Sequence, residues 1–562
     1  MQQKIQYLLV IVIAFIGVQK GYSQKELVSR QVDKNTFARI QPGKENVIPY
    51  LQQRSKNGVV NIYEFNADAL HDDAFFLNIF TGETIKVIKQ KVDKRNEDNF
   101  TWYGVIKGAN GQQGSIAMVY LNGELSGNLN YKAGNYSINP MGKGSFSLIE
   151  IDFKRFPIHE DAPGMIDSRK SEENTDMAAD PAVAAASCNL RVLVAYTTTA
   201  ENYIKNYLGF SRLTQFALQA VAETNQAYIN SGVNIHMELA ALVRVNYTES
   251  GNYSTDLNRF QQTSDGYMDE IHSYRNIYAA DVNVLIFNND AYCGMAPAIL
   301  ASANNAFSVV HYECALGYYS FAHEIGHLQG CDHNPEQSTN PIYSYGHGYV
   351  YSAGNWRTIM AYSISGETRL QYFSNPNVTY NGVSMGTAAR SYNARVLNQT
   401  AGTISNFRNA SSTLTVNNAG AVINDEASDA IATSEVILQN GFEATGNSEF
   451  TARILNCVGP SIVADNAGEV ISRQDQRNDG RSELAIYPTI TGGPVHVSTN
   501  NSILKDAEIV VSDNSGRIVV RSINKAGEKL VTLNLAPFPN GIYFIQVRQG
   551  DKLITRKVIV NH

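Results

Sequence analysis

The sequence predicts a multidomain chain: a mixed α/β domain, with a twisted sheet and one short functional helix, flanked by a β-rich region before it and β-sandwich modules after it. Three observations carry that expectation. The 562 residues exceed what one hydrophobic core organises, so roughly two to four domains are expected. The hydrophobic period changes along the chain from alternation to helical spacing and back. A charged, small-residue stretch without any period separates the first two regions. With 43% apolar and 17% charged residues there is ample material for packed cores. A net charge of −7 argues against a nucleic-acid partner, whose phosphates call for a basic field.

The chain opens with Lys4, an apolar run from Tyr7 to Val18 and the polar "QKGYSQ", the layout of a secretory signal peptide over residues 1–23. The run is shorter than the roughly 20 residues a membrane-spanning helix needs, and no later segment is long or apolar enough. Residues 24–187 are β-rich and end in a linker. "GSIAMVYLNGELSGNLNYKAGNYSINPMG" alternates apolar and polar positions around Asn-Gly and Ala-Gly turns. Asp161 to Ser187 loses that period and contains the basic pair Arg169-Lys170, open to processing.

The next domain spans 188–408. Leu190 to Tyr196 reads as a buried strand. Leu213, Phe216, Ala217, Ala220, Val221 and Thr224 then share one face of a helix that Ser231-Gly232 stops. A strand in "VNIHMELAALVRV", a short helix near Tyr267–Tyr274 and a buried strand from Val282 to Phe287 complete a mixed sheet. Residues 409–480 form a small β-rich module and linker, and 484–562 alternate cleanly again as a β-sandwich. The five cysteines are Cys188, Cys293, Cys314, Cys331 and Cys457. Export permits disulfides, and the odd number leaves at least one thiol free or paired outside the chain. Cys293–Cys314 is the preferred pairing and Cys188–Cys331 the second; sequence does not decide connectivity.

The segment "YSFAHEIGHLQGCDH" carries the chemistry. Ser320 is a plausible N-cap for a helix over Phe321 to Gln329 that Gly330 ends. His323 and His327 lie four residues apart, on one face and about 6 Å apart along the axis. Both imidazoles can therefore reach one Zn²⁺ at about 2.0–2.1 Å. Glu324, beside the first ligand but angled off the metal, can hold a metal-bound water instead. Gly330 allows a sharp turn with φ > 0 that brings round His333 as a third ligand. Three protein ligands leave a fourth position open, the arrangement of a catalytic zinc. The short pattern HExxH arises by chance in roughly one such sequence per hundred, and the extended form in about one per fifty thousand. The accidental reading is thereby set aside.

Downstream, "RTIMAY" places Met360 in a compact turn. The extended histidine motif followed by this turn resembles the metzincin zinc endopeptidases. The wider pattern from Cys188 to Arg408 is similar to the reprolysin-like bacterial metallopeptidases. The resemblance implies that Met360 packs beneath the three imidazoles without touching the metal, and that peptides or proteins are the substrates. Tyr362 stands where astacins and serralysins carry a zinc-ligating tyrosine, so it is a candidate for stabilising an oxyanion or else a wall residue. His347 in "YGHGY" is a candidate for the cleft rim, with a structural or turn role as its alternative. Asn334 departs from the aspartate usual in the adamalysin branch, and Cys331 is unusual inside the motif.

The flanks extend this reading. The β-rich region resembles a propeptide that aids folding and blocks the cleft, which makes the product a zymogen. It holds no cysteine, so thiolate inhibition is excluded; His159, Glu160 or Asp161 is a candidate substitute, with a solvated loop as the alternative. The tail, with "PNGIYFIQV" and "TRKVIV", resembles the C-terminal sorting domain of type IX secretion in Bacteroidetes, implying outer-membrane secretion machinery as a partner. "SDNSGR" has the composition of a calcium loop, although a hairpin turn explains it better. The competing class is a secreted adhesion or binding protein on an inactive scaffold; an amidase-type zinc hydrolase is disfavoured by the extended motif.

Overall fold

The computed structural model describes residues 25–157, save 81 and 109–112, then 189–408, save 339–340, and beyond these mainly strands between 413 and 560. The signal peptide, His159 to Asp161, the Arg169-Lys170 pair, Cys188 and Cys457 lie outside the described residues. Two compact units divide the chain at Ser461/Ile462.

In the first unit, nine antiparallel strands run in the spatial order Val28–Val32, Asn61–Phe65, Ser145–Glu150, Gly134–Pro140, Glu124–Tyr131, Gln113–Leu121, Asn99–Lys107, Glu83–Asn96 and Ala74–Phe80. The β-rich region expected from the sequence is this sheet, although strands such as Asn99–Lys107 and Glu124–Tyr131 are buried on both faces and do not alternate. Two helices, Lys34–Ile40 and Val47–Arg54, were not expected from the β-rich pattern. Asp33 nucleates the first by accepting the backbone N–H groups of Asn35 and Thr36.

A second sheet follows, ordered Gly294–Met295, Phe307–His311, Val282–Phe287, Leu190–Thr197, Met237–Val245. Its inner pairs are parallel, whereas the short Gly294–Met295 strand is antiparallel at the edge. Ala427–Ala432 joins the opposite edge through Ala241 and Ser428. The short helix expected near Tyr267–Tyr274 runs over Glu270–Ile277, after another at Tyr253–Gln261.

The long helix Leu213–Ser231 ends at Gly232, whose φ of 67° is the left-handed cap. Its sequence reads as one apolar face, yet it is buried almost all round. The physical reason is the nine-stranded sheet. Tyr103, Ala117, Val119 and Leu121 share one core with Phe216, Ala217, Ala220 and Val221. The helix's polar face is absorbed by hydrogen bonds from Gln215 to the Val119 carbonyl and from Gln219 to the Ala117 carbonyl, both 3.4 Å.

In the second unit, a three-stranded and a five-stranded sheet share a core that includes Val495, Val497, Ile509, Val511 and Ile545. Of "SDNSGR", Ser512, Asp513 and Arg517 are described, at the facing ends of the antiparallel strands Ala507–Asp513 and Ile518–Asn524, and 514–516 lie outside the described residues. Arg517 donates to the Asp513 carboxylate at 3.0 Å, so that carboxylate serves the hairpin and lends calcium no support. Among the described residues no helix is long and apolar enough to cross a membrane.

Candidate active site

The active-site helix spans Ser320–Leu328. Ser320 is its first helical residue and not the cap; Tyr319 takes that place with φ 65° and no capping side chain. The side chain of Tyr319 is anchored by residues distant in the chain, which no local sequence signal marks. The Tyr319 hydroxyl is held between Asn128 and Asn130 of the nine-stranded sheet, 2.6 Å from each. Beside it, Glu223 of the long helix accepts the Gly317 N–H at 2.7 Å. Burial drives the Glu223 carboxyl up to about 8, against hydrogen bonds from Gly317 and Gln219 and the charge of Arg54.

His323 and His327 occupy adjacent turns of one buried face. After Leu328 the chain leaves the helix through Gly330, whose φ of 102° is open to glycine and strained for other residues. That turn carries His333 back toward the helix. The Nε2 atom of His327 stands 3.0 Å from Nε2 of His323 and 3.0 Å from Nε2 of His333. A tetrahedral ion with bonds of about 2.0–2.1 Å would place its ligands roughly 3.3 Å apart, so the spacing suits one shared cation.

The donor chemistry gives an independent test of fit. His323 Nδ1 lies 2.8 Å from the Ile359 carbonyl and His327 Nδ1 2.9 Å from the Cys331 carbonyl. A carbonyl only accepts, so these Nδ1 atoms carry the hydrogens and Nε2 presents a lone pair. Facing lone pairs at this spacing, with His327 confronting two neighbours at once, suit a single shared cation where pairwise hydrogen bonds do not. The three histidines are also the group of metal-ligating side chains that converges among the described residues.

Glu324 is fully buried, one residue from the first histidine. A residue that sequence reasoning missed makes room for it. A Cβ on Gly294, in the edge strand, would stand 2.6 Å from the Glu324 carboxyl carbon. Met360 is buried below the helix, where a Cβ on Gly326 would stand 2.6 Å from its sulfur. The glycine inside the motif is thus the contact surface for the methionine.

Asn334 accepts the Tyr362 N–H at 2.9 Å, tying the third-histidine segment to the methionine turn. Its amide also donates to Glu336 at 2.8 Å, which an aspartate could not do. Tyr362 is half-buried, its ring centroid 4.2 Å from that of His333. His347, expected at the cleft rim or in a turn, is buried, and its Nδ1 donates to the His333 carbonyl at 2.7 Å. Cys293 and Cys314 are bonded to each other. Cys331 is a free, buried thiol among the described residues, and Cys188, its partner in the second pairing, lies outside them.

Residues 187–374 match metallo-peptidase family M12. The chain belongs to this family, and it is a zinc metalloendopeptidase. Residues 485–561 match a secretion system C-terminal sorting domain, which directs export to the cell surface or beyond. Among the relatives, a peptidyl-Asp metalloendopeptidase of Stenotrophomonas maltophilia is 41% identical over 346 residues, covering 58% of this chain and 81% of that protein. One from Xanthomonas campestris is 40% identical over 341 residues, covering 58% and 80%. Another, from Pseudomonas fragi, is 44% identical over 189 residues, covering 33% of this chain and all of that protein.

Proposed function

We propose that the chain hydrolyses peptide bonds beside aspartate in extracellular proteins and is made as a zymogen. The observation that carries the chemistry is the convergence of three Nε2 atoms whose opposite nitrogens, on His323 and His327, are held by carbonyls. His323, His327 and His333 are assigned as zinc ligands. Zinc, when bound, lowers the pKa of water toward 7 and polarises a carbonyl. Glu324 takes the proton of the attacking water and hands it to the leaving amine. Tyr362, lying against His333, is assigned to the developing oxyanion, and Met360 to the apolar floor. The aspartate preference follows the names borne by the relatives.

The zymogen reading draws support from the core shared by the nine-stranded sheet and the long helix. We assign 1–23 to a signal peptide, 24–187 to a propeptide with its linker, and 188–408 to the metzincin-type catalytic domain. Residues 409–480 are assigned to a β-rich module with a linker, and 484–562 to the sorting domain, of β-sandwich type. The test is Glu324→Gln. Bound zinc, measured by metal analysis, is expected to stay at the wild-type level while peptide hydrolysis falls on the order of 10²–10⁴-fold. Wild-type turnover in that variant would overturn the assignment.

A further inference from the structure

The helix Leu213–Ser231 carries a polar stripe at helical spacing, formed by Gln215, Gln219, Glu223, Gln226 and Asn230. The first four are buried, and the stripe faces the nine-stranded sheet. Besides the bonds of Gln215 and Gln219 to strand carbonyls, Gln226 donates to Gln90 at 3.2 Å and Asn230 to Ser115 at 3.1 Å. The sheet answers with polar side chains of its own. Ser126 donates to Gln219 at 3.3 Å, and Asn135 donates to the Gly317 carbonyl. A permanent interface resembles a domain core cut in half. Amides that exchange protein partners for water change little in free energy when uncovered. This face is therefore suited to exposure as well as to burial.

Glu223 is the ionisable member of the stripe. Its carboxyl accepts the Gly317 N–H and, at 3.2 Å, the Gln219 amide. Two titratable groups face it: the Tyr319 hydroxyl, and Arg54 at the end of the helix Val47–Arg54. Arg155 and Tyr312 stand around Arg54 in turn. Arg54 is buried and donates to the Glu313 carbonyl at 3.0 Å, but its Nε has no hydrogen-bond partner among the described residues. Burial outweighs these contacts and raises the Glu223 carboxyl. Parting the sheet from the helix would return both groups to water. Arg54 would regain hydration, and Glu223 would fall back toward an ordinary carboxyl, so separation releases a proton.

We propose that this helix face is a detachable docking surface for the N-terminal domain, residues 25–157, and that a proton on Glu223 governs the attachment, docked in acid and released as pH rises. The inference rests on the reading that the chain is made as a zymogen, and it names the surface the cut N-terminal domain leaves. The sign follows from linkage. The docked form binds the proton more tightly, so docking is strongest below about pH 4.5 and weakens as pH climbs through about 8. The Glu313 carboxyl, pushed up to about 7 by burial, adds a share of its own, which comparison with a Glu223 variant subtracts.

The test uses the full chain with a specific protease site placed between 157 and 189, in a Glu324→Gln background so that the fragments do not digest each other. After cutting, the affinity of the two fragments is measured from about pH 5 to 9 by size exclusion and titration calorimetry. It is expected to fall on the order of 10²–10³-fold between about pH 5 and 8, and at least tenfold less when Glu223→Gln is added. Fragments that stay together undiminished at about pH 9, or that part already at about pH 5, overturn the detachable face. Equal declines with and without Glu223→Gln overturn the role of Glu223. If that variant is not exported, proton uptake on re-docking near pH 7.5, read in two buffers of different ionisation enthalpy, decides: roughly one proton is expected, and none would overturn the proposal. The zymogen reading is judged separately, with Glu324 intact. An uncut chain as active on peptides as the cut one would sink that reading, while the docking curves decide the face on their own.

Discussion

Gly294 offers the sharpest probe of the catalytic geometry. A methyl group placed on it would stand 2.6 Å from Cδ and 2.7 Å from Cγ of Glu324. Carbon atoms in ordinary contact stay about 3.5–4.0 Å apart, so roughly 1 Å of movement is required. The histidines beside Glu324 sit on a packed helix, and the carboxylate is the part able to swing. A displacement of about 1 Å at a reacting group costs on the order of 10²-fold in rate, or about 2.7 kcal/mol on the barrier. Gly294→Ala is therefore expected to lower kcat by that factor, with zinc content and thermal stability near wild type. Steady-state kinetics on a peptide containing aspartate, paired with metal analysis, measures both. Adding Glu324→Asp withdraws the carboxylate by one methylene, so the double variant is expected to lose less than the two single losses summed. A kcat within threefold of wild type in Gly294→Ala would refute the reasoning, and so would loss of zinc, which would place the damage at the ligands.

Two further outcomes follow from the same structure. Gly330→Ala forces a side chain into φ near 102°, with neighbours already at 3.2–3.3 Å from its Cβ; it is expected to cost about 1–3 kcal/mol and to weaken zinc retention through His333, seen by urea unfolding and dialysis against chelator. Glu223 has a folded-state pKa of about 8 against an ordinary 4.5, so its contribution to stability is fully present below about pH 4.5 and is lost as pH rises through 8. Glu223→Gln, which mimics the protonated acid, is expected to flatten the decline between about pH 4.5 and 8 by on the order of a few kcal/mol, and a stability difference from wild type that does not change with pH would count against it.

How much was legible depended on the range of the interaction. The convergence of the three histidines was readable because His323, His327 and the turn at Gly330 are linked by local geometry: four residues are about one helical turn, and a left-handed bend favours glycine. The helix Leu213–Ser231 was readable in extent, since its period and its terminating Gly232 are local signals. Its burial was not, because Gln215 and Gln219 look solvent-facing until the Gln113–Leu121 strand lies over them. For His347 the sequence left two roles open, cleft rim or structural turn, because whether an imidazole faces a cleft or the Cys331–Asn334 backbone depends on packing across the domain.

Sequence by itself determined the class of chemistry here, because a metal site built from one helix and the turn after it is written in spacing. Tertiary structure alone decided which residues distant in the chain surround the three histidines and Glu324. Gly294 yields space to Glu324, Asn128 and Asn130 hold the start of the active-site helix, and Arg369 lies behind His323. These contacts join residues separated by tens to hundreds of positions. No local period encodes them, and they exist only once the sheets have packed.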